Sequence, residues 1–139
     1  MKVTARRRKG YAHSLTAGRH TLVADEPESK GGADSGATPV QLLALSLAAC
    51  AAITIEMYAS RKEWDIGEVE VEVDYELDSQ GGTNRFELLI TLPADLSDEQ
   101  LERLRVVAGK CPVHRALVGD VEITDRVERG SKDSSAHSP

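Results

Sequence analysis

Residues 38–60, TPVQLLALSLAACAAITIEMYAS, decide the fold. Thr38 is a side-chain cap, Pro39 stands at the first helical position where its missing N–H costs nothing, and Gln41 completes a capping box. The spacing therefore predicts a helix running to about Ser60. Leu42, Leu43, Leu45, Leu47, Ile53 and Ile55, with the alanines between them, leave it no polar face before Glu56. Such a helix must be enclosed by protein, and its alanines let another helix approach closely. One small domain can hardly enclose it, so an intimate homodimer is expected. The apolar run from Leu42 to Ile55 is broken by Ser46 and Thr54 and is shorter than the roughly 20 residues a bilayer span needs, so no membrane partner is expected.

Downstream, Glu68 to Leu77 alternates without a break. Val69, Val71, Val73, Tyr75 and Leu77 fall on one face, and Glu70, Glu72, Asp74 and Glu76 on the other. After a turn at Gly81-Gly82, the same period returns in Phe86, Leu88, Ile90 and Leu92, which predicts a hairpin ended by Pro93. Ser97 to Gln100 is a second capping box, followed by Leu101, Leu104, Val107 and Ala108 at helical spacing, with Gly109 as the stop. Cys111-Pro112 opens a further helical turn through Val118, and a closing strand is expected from Val121 to about Val127. Upstream, Lys2 to Arg6, Tyr11 to Leu15 and His20 to Ala24 read as a small meander, and Asp25 to Ala37 has loop composition. The expected order is β-β-β-α-β-β-α-α-β with antiparallel strands, an α+β fold. Residues 1–129 are expected to form one domain, and the polar tail 130–139 to be disordered.

Composition narrows the function classes. The 139 residues are 40% hydrophobic and 29% charged, as in soluble globular proteins. A net charge of -6 argues against nucleic acid, since phosphate binding needs a concentrated positive field. The run Arg6-Arg7-Arg8-Lys9 reads as a charged strand edge that discourages aggregation. No apolar h-region follows the N-terminal cations, so a cytoplasmic protein is expected. In a reducing compartment two cysteines point to reactivity or packing rather than a permanent disulfide.

Those cysteines are the candidates for chemistry. Cys50 lies mid-helix on the face of Leu43 and Leu47, where a free thiol packs as a small hydrophobe; taken alone, its helix favours an inert core residue. Cys111 stands at a helix N-terminus, where unpaired N–H groups and the helix dipole lower a thiol pKa. Activation of Cys50 would have to come from a group delivered by the fold, with Arg19 or Arg115 as candidates for ion pairing. His114 and Arg115 read by themselves as surface groups. The four histidines form no C-x-x-C or H-x₃-H set with the cysteines, so no metal and no cofactor is expected.

At these residues the chain resembles a family. The stretches DEPESKGGADSGATPVQLLALSLAACAAITIEMYASRKEW, LRVVAGKCPVHRAL and VEIT resemble the OsmC/Ohr superfamily of thiol-dependent peroxidases, in the branch with a C-P-V-H-R second-cysteine motif. The resemblance covers residues 18–127. It implies an intertwined homodimer in which antiparallel sheets wrap long buried central helices, with the sites at the subunit interface. It also implies reduction of organic hydroperoxides: Cys50 attacks the peroxide and becomes a sulfenic acid, Cys111 resolves it as a disulfide, and an external thiol or dithiol reduces that bond. The family places an arginine from the N-terminal hairpin beside the reactive thiolate, for which Arg19 is the candidate here. The glutamate that orients this arginine is missing, since Val40 and Gln41 occupy that stretch. That departure keeps open a redox-sensing or small-molecule-binding module with little turnover. A structural dimer with inert thiols is the third reading.

Overall fold

The helix foreseen from the Thr38 cap forms over Pro39–Arg61 (α1) in the computed structural model, which describes residues 1–130. Both halves of the capping box are present. Thr38 Oγ1 accepts from the Gln41 N–H at 3.1 Å, and Gln41 Oε1 accepts from the Thr38 N–H at 2.9 Å. One stripe of α1 is buried: Ala44, Leu47, Ala51, Ile55 and Ala59, recurring every three or four residues.

The period-two segments become strands Glu70–Glu76 (β4) and Arg85–Thr91 (β5), paired antiparallel with Val71 opposite Ile90, Val73 opposite Leu88 and Tyr75 opposite Phe86. Val71, Val73, Leu88 and Ile90 turn inward, while Glu70, Glu72, Asp74, Glu76 and Leu89 are exposed. The second capping box starts a helix over Asp98–Ala108 (α2), and Cys111 caps a short helix over Pro112–Val118 (α3). Ala51, Ile55 and Ala59 pack with Leu104, Ala108 and Ile66 into one core, flanked by Val71, Leu88 and Ile90. Beyond the core, Arg103 Nε donates to the Tyr58 hydroxyl at 2.9 Å, tying the end of α1 to α2.

The N-terminal meander comprises Val3–Lys9 (β1), Ala12–Ala17 (β2) and His20–Ala24 (β3), antiparallel in that order. Every residue of β1 is exposed. Residues 1–24 carry Lys2, Arg6, Arg7, Arg8, Lys9 and Arg19 but no Asp or Glu, so the acidic excess lies wholly in the rest of the chain.

Between β3 and α1, the expected loop is an organised turn around a buried carboxylate. Asp25 is 2% exposed and accepts from the main-chain N–H groups of Glu26, Ala33 and Ser35 and from the Ser35 hydroxyl, the last at 2.6 Å. These bonds hold its carboxyl down at about 2, chiefly through the Ser35 hydroxyl. A side chain at Gly32 would run into the Glu26 carbonyl oxygen, and one at Gly36 into that of Val23. A short 3₁₀ turn at Glu28–Lys30, absent from the sequence expectation, lies inside this loop.

One expectation needs correction. The closing strand over residues 121–127 does not form: residues 120–130 take no regular structure and all are exposed. A strand exists only against a partner strand, and among the described residues no sheet edge takes this segment. The central helix is covered on one side only in the single chain, in line with a helix that one small domain can hardly enclose. Leu45, Ile53 and Met57, four or eight residues apart, are 56%, 51% and 59% exposed, because one chain supplies cover on one side only. At 23 residues α1 is also long and apolar enough, by length and composition, to cross a bilayer, more than the interrupted apolar run suggested. Of the tail expected to be disordered, residues 131–139 lie outside the described residues.

Candidate active site

Two elements far apart in sequence deliver the two thiols. Cys50 rides on α1 one turn beyond Leu47, half-buried; Cys111 follows the Gly109-Lys110 stop of α2 and is fully buried. Both are free, and Cys50 is near enough to Cys111 to act on its ionisation. Contact between α1 and the α2–α3 corner produces this meeting, through the same packing that buries Ala51 and Leu104.

Cys111 is the N-cap of α3, with Pro112 at the first helical position. Its sulfur accepts from the His114 main-chain N–H at 3.3 Å. The sequence predicts that this setting lowers the thiol pKa, and the structure corrects the sign. Burial pushes the Cys111 thiol up, the neighbouring Cys50 pushes it further, and the His114 N–H only partly opposes them. Desolvation of a fully buried sulfur outweighs one short helix's dipole. Cys111 is therefore held as a neutral thiol beside the more accessible Cys50.

The two arginine candidates are not at the thiols. Arg19 stands on the exposed turn between β2 and β3, and Arg115 is exposed on α3. Among the described residues, no hydrogen bond or ion pair joins either to Cys50 or Cys111. Gln41, which with Val40 occupies the stretch where the resemblance leads one to expect a glutamate, has its side-chain oxygen engaged by the Thr38 N–H. No group of three or more His, Cys, Asp or Glu suited to a metal ion occurs among the described residues.

A cavity of about 260 Å³ is lined by Leu47 and Leu117 from α1 and α3 and by Phe86 and Leu88 from β5, with Asn84 and His114 as its polar members; neither cysteine is among its lining residues. It is apolar enough to hold an alkyl or aryl group. His114 is the residue that sequence reasoning assigned to the surface. Its Nδ1 is buried and without a hydrogen-bond partner among the described residues. One signal was available: the third helical residue donates its N–H to the capping side chain, so a Cys cap fixes position 114 against the sulfur.

Comparison with known proteins agrees with this architecture. Residues 31–125 match the family model described as OsmC-like protein. A putative osmotic stress induced and detoxification response protein from Psychrobacter arcticus superposes with a TM-score of 0.73 at 23% identity, over 83% of this chain and 86% of that one. An OsmC-like protein from Mycoplasma pneumoniae gives 0.72 at 21% identity, over 85% and 86%. The organic hydroperoxide resistance protein OhrB of Bacillus subtilis gives 0.57 at 29% identity, over 87% and 92%. No curated protein matches the chain.

Proposed function

The chain belongs to the OsmC-like protein family, and from that premise we propose that it is a thiol-dependent peroxidase acting on organic hydroperoxides. The observation that supports this reading is that α1 and the turn before α3 bring Cys50 close enough to the buried Cys111 to act on its ionisation. Cys50, the more accessible sulfur, attacks the terminal peroxide oxygen; an S–O bond forms, the O–O bond breaks, and the departing alkoxide takes a proton to leave as alcohol. Cys111 then condenses with the sulfenic acid, releasing water, before Cys50 can oxidise further. An external thiol or dithiol reduces the disulfide and closes the cycle.

The functional unit in this proposal is a homodimer of domains spanning residues 1–129, working in the cytoplasm. The exposed Leu45, Ile53 and Met57 stripe needs cover in water, and a second α1 offers the same apolar surface in return. Among the described residues no cation is hydrogen-bonded to Cys50, so assembly is also the step that would bring one, and Arg19 and Arg115 are the candidates. The engaged Gln41 side chain favours a second reading, a redox sensor that forms the disulfide but turns over poorly.

The test is consumption of cumene or tert-butyl hydroperoxide with a dithiol reductant, for wild type, Cys50→Ser and Cys111→Ser. Sustained turnover that disappears in Cys50→Ser is the expected result. Disulfide formation without sustained consumption would instead establish the sensor.

A further inference from the structure

The helix that carries Cys50 ends on a strained turn. Helices that close by folding back usually place glycine in the left-handed position, whereas here Glu63 takes it, with φ at 57°. The Glu63 N–H donates to the Ser60 carbonyl at 3.1 Å and the Trp64 N–H to that of Ala59 at 2.9 Å. The turn thereby brings Trp64 back edge-on to Tyr58, with ring centroids 5.7 Å apart.

Tyr58 in turn fixes two cations. Lys62 Nζ stands 5.7 Å and the Arg103 guanidinium 5.4 Å from its ring centroid, and Arg103 Nε donates to its hydroxyl at 2.9 Å. Long side chains held in this way lose less freedom when they take a ligand. All four residues line a cavity of about 560 Å³ between the end of α1 and α2, with Val106 adding to its apolar wall. That volume is within the range of small-molecule sites. The bond from Arg103 to Tyr58 ties α1 to α2, but it uses one guanidinium nitrogen and does not involve Lys62.

The charge here is positive in a chain of net charge -6. Of the two acids on the cavity wall, Glu102 is taken by Arg105 at 2.6 Å, which leaves Glu99. Among the described residues, no carboxylate lies within ion-pair distance of Lys62 or Arg103. The Tyr58 phenol is held below its ordinary range, first by the Arg103 hydrogen bond, which outweighs burial, and then by the charges of Arg103, Lys62 and Lys110.

We propose that this cavity binds a small carboxylate with an aromatic ring, the ring against Trp64 and Val106 and the carboxylate between Lys62 Nζ and the terminal nitrogens of Arg103. The site is separate from the thiols. Neither cysteine lines it, and Tyr58 follows Cys50 on α1 by eight residues, about 12 Å along the helix axis. Binding here does not depend on the peroxidase reading.

Trp64 is the only tryptophan of the chain, so its indole N–H gives a single side-chain peak in a proton–nitrogen correlation spectrum, placed in this cavity. The labelled full chain is titrated with phenylacetate, with phenylacetamide, which has the same ring and a neutral head, and with acetate, which has no ring. Phenylacetate is expected to shift the Trp64 peak saturably, and each of the other two to bind at least about tenfold more weakly. Lys62→Gln, at an exposed position, should weaken phenylacetate by about tenfold and leave phenylacetamide unchanged, a pattern that loss of the fold would not give. Cys50→Ser should bind as wild type. A Trp64 peak that stays in place up to about 10 mM phenylacetate, far weaker than a working site, would overturn the proposal. So would equal affinity for phenylacetate and either control. Binding lost in Cys50→Ser would put the ligand at the thiols and overturn it as well, while leaving the peroxidase reading untouched.

Discussion

Asp25 shows how much one side chain can settle. Four donors converge on its carboxylate, so the chain between β3 and α1 is drawn into a fixed course before the Thr38 cap begins. Its folded value of about 2 lies below the ~3.9 of an unfolded aspartate. The stability it contributes is therefore complete above about pH 4 and is lost as pH falls toward 2. Asp25→Asn should lower the melting temperature at pH 7, and the gap to wild type should close as pH drops through that window. A gap constant with pH would mean that the carboxylate charge is not what holds the loop. Cys111 runs the opposite way, its buried thiol resisting ionisation. Brief alkylation of the native protein at pH 8 should label Cys50 well ahead of Cys111, as mass spectrometry of the digested chain would show.

Between elements, the seam of α1 against α2 sets how the helix carrying Cys50 meets the turn that carries Cys111. Ile55 and Leu104 are both 0% exposed at its centre. Ile55→Ala should cost about 2–5 kcal/mol in denaturant unfolding, because the cavity it leaves is walled by two helices and a sheet. The helices and hairpin behind this seam were legible because local rules dictate them. Thr38 and Ser97 cap with their partners three residues on, and the valines and glutamates of β4 alternate under a strict period of two. The pairing of Cys50 with Cys111 was legible only through family resemblance, since no local pattern links a mid-helix residue to a distant cap. The raised thiol pKa was misjudged because burial is a property of the packed chain, whereas a cap can be read from neighbours. The segment from Val121 to Val127 carries strand-like alternation, but no pattern in a sequence says where its partner edge will be.

At the scale of the whole molecule, the unshared face of α1 is the dominant feature. If a second copy covers it, Ile53→Glu should convert a dimer into monomers in sedimentation while leaving the far-UV spectrum unchanged, since Ile53 is 51% exposed in the single chain. A wild type that sediments as a monomer would remove that explanation of the stripe. The division of charge, with a purely cationic meander at one end of the sequence and the acidic excess beyond it, bears on how copies meet rather than on how tightly they hold. A molecule so divided has a dipole, and two of them turn toward opposite ends before any apolar surfaces touch. Added salt shortens the reach of that orienting field from roughly 30 Å at 0.01 M to about 3 Å at 1 M. Refolded chains should accordingly find one another quickly in dilute buffer and slowly in brine, even where the final assembly is equally durable in both.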